Sequence, residues 1–185
     1  MKPTTAATAH YFVDESGDGV LFTAPAQLAI QQMDGVPTFM LGMLHLPDPA
    51  ALLTELDALR TELLADPYFK NVPSMTVAER KTALAFHAKD DLAEVRREVF
   101  RVLLRHDMKF FAVVRDMRAV LAYVQERNRR DAAYRYKPND LYDQSVSRLF
   151  KDRLHQHENN AITFARRGRS DRTRALRAAL DVARQ

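Results

Sequence analysis

The chain has 185 residues, of which 46% are hydrophobic and 28% charged, so it is long enough to fold around a core without disulfides or metal ions. It contains no cysteine, which excludes disulfide bonds, thiolate metal sites and a cysteine nucleophile. The net charge of +4 is uneven: residues 1–124 carry a net −3 and residues 125–185 a net +7. A basic C-terminal third favours an anionic partner such as nucleic acid, and an arginine-rich solvated surface is the alternative.

The sequence contains no apolar run of about 18 residues, the length that a membrane-spanning helix needs. Residues 1–10 are small and polar and lack the apolar segment of a signal peptide. We therefore expect a soluble cytoplasmic protein with no membrane partner.

The first half of the chain predicts three strands and then helices. Residues 10–13 are β-branched or aromatic and end at an acidic, glycine-containing turn, and residues 20–23 fit the return strand of a hairpin. Residues 37–46 are mostly apolar and predict a buried strand. Asp48 and Pro49 then open a leucine-rich helix, and residues 76–106 fit either one long helix or two.

The second half alternates strands and helices. Residues 109–114 and 161–165 predict strands, a helix opens at Pro138 between them, and an amphipathic helix follows Ser170 or Asp171. The resulting order of elements, β-β-β-α-β-α-β-α, is that of a ribonuclease-H-like domain. It predicts a single α/β domain over residues 1–185, with a mixed five-stranded sheet (three antiparallel strands, then two parallel) flanked by helices.

Carboxylates lie where predicted strands end. Asp14 and Glu15 follow the first strand and Asp116 closes the fourth, and this topology makes those two strands parallel neighbours. Carboxylate oxygens brought together at one sheet edge suit Mg²⁺ or Mn²⁺, which can activate phosphodiester hydrolysis. The alternative is that Asp14 shapes a turn and Asp116 caps the following segment.

Three further groups are candidates for this chemistry. His87 fits proton transfer to a leaving group, with a partly buried structural histidine as the alternative. Arg166, Arg167 and Arg169 lie between a strand and a helix, where they fit phosphate binding. Tyr134 and Tyr136 lie among basic residues and fit base stacking. Solvated surface charge is the alternative for both basic segments.

The sequence resembles the domain-of-unknown-function 3800 family of bacterial and phage proteins over essentially its whole length. Three motifs carry the resemblance: residues 11–18 (YFVDESGD), residues 86–91 (FHAKDD) and residues 162–168 (ITFARRG), which run into residues 170–173 (SDRT). The resemblance implies a ribonuclease-H-like fold with Asp14, Glu15 and His87 on the family's marked positions. Many relatives carry an acidic residue at the position of Ala85, and relatives usually continue into a further segment with another carboxylate. We therefore expect a short form or fragment of the family domain, incomplete at its C-terminus.

The leading hypothesis is a Mg²⁺- or Mn²⁺-dependent phosphodiesterase (nuclease). In it Asp14, Asp116 and Glu15 hold the metal, His87 assists proton transfer, and the arginines at 166, 167 and 169 hold phosphates. The alternative is a catalytically inert module on the same fold that binds nucleic acid or protein. A small-molecule phosphatase is a third option.

Overall fold

The computed structural model describes residues 8–23, 27–29, 36–168 and 170–185. The chain divides into two compact units. The first, here called the sheet unit, comprises Met1–His45 and Lys109–Gln185, and the second, the helical unit, comprises Leu46–Met108. The expected single domain over residues 1–185 stays a prediction.

The described residues form six strands and five α-helices. The strands are β1 (Thr8–Ser16), β2 (Phe22–Thr23), β3 (Gln27–Leu28), β4 (Thr38–His45), β5 (Lys109–Asp116) and β6 (Asn159–Phe164). The helices are α1 (Pro49–Ala65), α2 (Ala93–Leu103), α3 (Met117–Arg130), α4 (Pro138–Phe150) and α5 (Thr173–Ala183). No helix in these ranges is long and apolar enough to cross a membrane.

The main sheet of the sheet unit is mixed and has the strand order β5-β4-β1-β6. Strand β4 pairs antiparallel with both β1 and β5, while β6 pairs parallel with β1. The prediction of an α/β fold with a mixed sheet flanked by helices is confirmed in this coarse form. Five strands are not confirmed, because the described part of the chain supplies four to this sheet.

Two predicted strand pairings are wrong. The expected return strand at residues 20–23 does not pair with β1, because β2 instead forms a two-stranded ribbon with β3. The position beside β1 is therefore taken by β4, and β5 pairs with β4 instead of pairing with β1. The residues between β4 and β5 form a unit with its own core, and not the simple crossover helix that a parallel pair requires.

One face of the sheet carries the core of the sheet unit. Burial alternates along β1, where Tyr11 and Val13 are buried and Phe12 is exposed, as expected when successive side chains point to opposite faces. The buried face packs against α4, whose Val146 and Phe150 are fully buried. The helices therefore determine which residues of β1 are enclosed and which remain accessible on the other face.

The helical unit has separate apolar clusters between α1 and α2. Asp48 caps α1 through a hydrogen bond from Ala51 N–H, 2.9 Å long, which confirms the predicted helix start. Residues 76–106 form only one α-helix, α2, preceded by short 3-10 turns. Asp91 is buried and accepts hydrogen bonds from the Thr82 hydroxyl (2.8 Å) and the His87 backbone (2.9 Å), so it closes a loop and does not cap α2.

Gly17, directly after β1, provides a test of this fold. Its φ is +81°, and a Cβ there would lie 2.1 Å from the Thr38 carbonyl oxygen. Gly168 also has a positive φ of +65°, but its Cβ would meet nothing within 4 Å. We expect Gly168→Ala to lower the free energy of unfolding by about 1–2 kcal/mol through backbone strain. Gly17→Ala should cost about 1–3 kcal/mol more, because of the added overlap.

Urea denaturation followed by circular dichroism measures both values. Equal losses for the two variants would contradict the close approach of Gly17 to β4.

Candidate functional site

Asp14 and Glu15 are consecutive residues near the end of β1 and therefore point to opposite faces of the sheet. Asp14 is exposed, pairs in register with Gly42 of β4, and accepts a 2.9 Å hydrogen bond from the backbone N–H of Glu15. Glu15 is partly buried, with 21% of its side chain exposed. The carboxylates of Asp14 and Glu15 therefore lie on opposite faces of the sheet, and the two do not bind one ligand together.

The parallel pairing of β1 with β6 gives Glu15 a cationic neighbour. Val13 pairs with Phe164, and the Ala165 N–H donates a 2.8 Å hydrogen bond to the Val13 carbonyl. The chain continues to Arg167, whose Nε lies 3.6 Å from Glu15 Oε1. The negative charge of Glu15 is therefore neutralised by Arg167.

Asp116 lies away from this pair. Its strand, β5, is separated from β1 by β4, which corresponds to about 10 Å between the two strands. It caps α3 by accepting a 2.9 Å hydrogen bond from Arg118 N–H, and this backbone bond holds the pKa of Asp116 below its usual value. The predicted side-by-side arrangement of Asp14 and Asp116 is wrong, because β6 and not β5 is the parallel neighbour of β1. The alternative reading of Asp116 as a helix cap is confirmed.

The three predicted carboxylates do not converge on one divalent cation in this arrangement. Within the described ranges, no group of three or more histidine, cysteine, aspartate or glutamate side chains could hold a metal ion. Asp14 and Glu15 face opposite ways, and Glu15 already has a guanidinium partner. Their assignment as metal ligands with Asp116 stays a prediction that this geometry does not support.

His87 lies in the helical unit. Its side chain is 63% exposed, so it is not the partly buried histidine that the sequence offered as an alternative. Its Nδ1 lies 3.4 Å from Asp90 Oδ2. Its proposed part in proton transfer stays a prediction.

The C-terminal arginines line a cavity of about 840 Å³ between β6 and α5, here called the arginine groove. Ile162 and Phe164 of β6, with Leu176 and Leu180 of α5, contribute apolar surface. Of the described residues, five arginines and one carboxylate, Asp171, line it; the arginines are Arg166, Arg167, Arg172, Arg177 and Arg184. The residues that line the groove therefore carry more positive than negative charge, and part of the lining is apolar. Arg169, also predicted to bind phosphate, lies outside the described residues.

The two most enclosed arginines are held by aromatic and polar groups of α4. The Arg167 and Arg172 guanidinium carbons lie 4.8 and 5.2 Å from the centre of the Tyr142 ring. Arg172 also donates to Asn139 Oδ1 (2.7 Å) and forms an ion pair with Asp143. These contacts fix the orientation of both guanidinium groups without a ligand.

In the arginine groove, one buried N–H donor lacks a hydrogen-bond partner and two arginines lack an ion-pair partner among the described residues. Arg167 Nη1 is buried and has no hydrogen-bond partner among the residues that the structure describes. Over the same ranges, Arg166 and Arg177 are exposed and form no ion pair. A buried donor without a partner is costly, so an anion that accepts from Arg167 would be stabilised there.

Tyr142 and Asp143 are site residues that the sequence analysis missed. Burial raises the pKa of Tyr142 to about 12, and the negative charge of Glu15 adds to this shift. Burial also raises the pKa of Asp143, although the positive charge of Arg172 opposes the shift. Both lie on α4, a helix that the sequence predicted. The spacing of residues within α4 did not indicate that Tyr142 and Asp143 contact arginines that follow β6.

Comparison with known proteins gives no match: no protein-family model, no curated protein and no solved structure is detectably similar to this chain. The resemblance to the domain-of-unknown-function 3800 family stays a prediction based on the three motifs.

The raised pKa of Tyr142 predicts a loss of stability at high pH. Unfolded tyrosine ionises near pH 10, whereas folded Tyr142 holds its proton to about pH 12. Between these values the folded state binds more protons, so the free energy of unfolding falls as pH rises, by at most about 1.4 kcal/mol per pH unit for this one residue. Tyr142→Phe should reduce this slope.

Urea denaturation between pH 9 and 12 measures the slope, with Tyr68→Phe as the control because the Tyr68 side chain is 69% exposed. An unchanged slope in Tyr142→Phe would contradict the assigned burial of the Tyr142 hydroxyl.

Proposed function

We propose that the protein binds nucleic acid through its backbone phosphates, with the arginine groove as the binding surface. The observation that carries this proposal is the charge of the groove, which five arginines and one carboxylate line. Three of the arginines pair with Glu15, Asp143 and Asp181, whereas Arg166 and Arg177 are exposed and form no ion pair among the described residues. Arginine guanidinium groups bind phosphate oxygens through pairs of parallel hydrogen bonds. The excess of positive charge over residues 125–185 supports the same function by attracting a polyanion before contact.

The length of the groove favours a chain of phosphates over a single phosphate. Arg177 and Arg184 are seven residues apart on or just after α5, so they project from a similar side of the helix at a separation of about 10 Å. Arg166 and Arg167 follow the end of β6 and line the same groove. Cations distributed over this length match the repeated charges of a nucleic-acid backbone.

A metal-dependent phosphodiesterase on a ribonuclease-H-like fold is the second candidate function. Its support is the sheet pattern: three antiparallel strands, β5-β4-β1, are followed by a parallel strand, β6, with β5 in the antiparallel group where the sequence predicted residues 20–23. Asp14 lies on β1, an inner strand of this sheet. In this proposal the metal would be Mg²⁺ or Mn²⁺, the cations that carboxylate oxygens suit.

If the arginine groove binds phosphates, oligonucleotide affinity should fall as the salt concentration rises, and the exposed Arg166 and Arg177 should contribute to this dependence. Arg166→Gln combined with Arg177→Gln should reduce the slope of log affinity against log salt by about 1–2, because each lost phosphate contact removes roughly 0.7–0.9. The affinity at 100 mM salt should fall at least about fivefold. Fluorescence anisotropy with a labelled 20-nucleotide single strand measures both quantities.

The matched control is Arg97→Gln combined with Arg101→Gln, which removes the same charge from α2 in the helical unit. A poly-glutamate peptide of similar charge serves as a second ligand. Equal losses in the two double variants, or equal binding of the peptide and the oligonucleotide, would contradict specific phosphate binding in the arginine groove.

Glu15→Gln and Asp14→Asn separate the two candidate functions. In the groove proposal, Glu15→Gln releases Arg167 from its carboxylate partner and should raise oligonucleotide affinity about two- to fivefold, which corresponds to a contact of roughly 0.5–1 kcal/mol. Asp14→Asn, on the opposite face of β1, should leave this affinity within about twofold.

The phosphodiesterase proposal gives the opposite expectation for metal binding. It requires Mn²⁺ binding in the parent chain, detected by calorimetry, and its loss in Asp14→Asn. Mn²⁺ binding that is unchanged in Asp14→Asn, or lacking in the parent chain, would exclude Asp14 as a ligand. Lower oligonucleotide affinity in Glu15→Gln would contradict the groove proposal.

A further inference from the structure

A second cavity in the sheet unit has a different chemistry from the arginine groove. It has a volume of about 300 Å³ and lies between α3, the segment before α4, and the first turns of α4. Three tyrosines line it, Tyr123, Tyr134 and Tyr136, and we call it the tyrosine pocket. Its volume is at the lower end of the range for small-molecule sites.

The tyrosines provide aromatic surface that is partly fixed in place. Tyr136 donates a 2.6 Å hydrogen bond from its hydroxyl to the Gly19 carbonyl. The guanidinium of Arg127 lies 5.3 Å from the centre of the Tyr134 ring. Tyr123 is 58% exposed. Two held rings and one accessible ring form a surface on which a planar ligand can stack.

The polar groups of the pocket suit the edge of a heteroaromatic ring. Arg115 Nε is buried and has no hydrogen-bond partner in the described part of the chain. Gln144, which also lines the pocket, offers an amide that both donates and accepts. A nucleobase carries donors and acceptors on its edge and an aromatic face, so it complements both features.

Helix α4 connects this pocket with the arginine groove. Leu141 lines the tyrosine pocket and the next residue, Tyr142, lines the arginine groove. A strand whose phosphates lie in the groove therefore has a base-sized pocket on the other side of the same helical turns.

We propose that the tyrosine pocket binds an unstacked nucleobase, which makes single-stranded nucleic acid the preferred partner of this protein. The proposal rests on the proposed function of the arginine groove. Bases in a duplex are stacked and paired, so they do not enter such a pocket without the cost of extrusion.

The test compares three labelled 12-nucleotide ligands: a deoxythymidine single strand, a duplex, and a single strand with abasic sites at every position. Tyr123→Ala should lower affinity for the thymidine strand about 5- to 100-fold, as expected for loss of one base–aromatic stack. Affinity for the abasic strand should stay within about twofold, because only phosphate contacts remain. Tyr123→Phe keeps the ring and should bind the thymidine strand like the parent.

Intrinsic fluorescence gives a second readout, because the chain has six tyrosines and no tryptophan. Stacking of thymidine in the pocket should quench tyrosine emission, and the abasic strand should not. An equal loss on thymidine and abasic strands in Tyr123→Ala, or no loss on either, would overturn the proposal. Binding of all three ligands that resists Arg166→Gln with Arg177→Gln would instead contradict the groove function itself.

Discussion

The parallel pairing of β1 with β6 is the constraint on which the candidate site depends. The register that pairs Val13 with Phe164 places the acidic end of β1 beside the arginine segment that follows β6. A shift of this register by one residue would turn Glu15 to the open face and remove it from Arg167. The pairing of β1 with β6 thus places Glu15 next to Arg167 on one face of the sheet. The charge of the candidate site depends on that contact.

Helix α4 stabilises the same arrangement from the other side. Tyr142 is 2% exposed and lies against both enclosed guanidinium groups, while Asp143 pairs with Arg172. Charged groups that are removed from water need partners of opposite charge or aromatic faces. Because these partners come from within the protein, the cationic groups are ordered before any anion arrives.

Much of the local structure follows from the sequence, but the pairing of its elements does not. The apolar runs near residues 10–13, 37–46, 109–114 and 161–165 all lie in or overlap strands of the main sheet, because their composition favours burial. The topology prediction failed at residues 20–23, whose local pattern indicates a hairpin with β1. The strand that pairs with β1 is β4, which is more distant in sequence. The prediction that Asp14 and Asp116 are neighbours failed for that reason alone.

The candidate site was partly predictable in the same way. Arg166 and Arg167 were found because like charges are adjacent in sequence and follow a strand. Tyr142 and Arg172 are thirty residues apart, and only the packing of α4 near α5 brings them together. Patterns within one segment identify such residues as helical or basic, whereas their shared role depends on tertiary contacts that no local spacing records.

The position of Glu15 bears on which anions the groove would select. Glu15 neutralises Arg167 while the exposed Arg166 and Arg177 have no ion-pair partner among the described residues. A single phosphate at Arg167 satisfies the unpartnered Nη1 donor but also meets the negative charge of Glu15 beside Nε, so its net gain is reduced. A chain of phosphates also contacts the exposed arginines and gains counterion release at each contact. In the proposed function, the internal ion pair therefore discriminates against small anions and favours a polyanion long enough to occupy the whole groove.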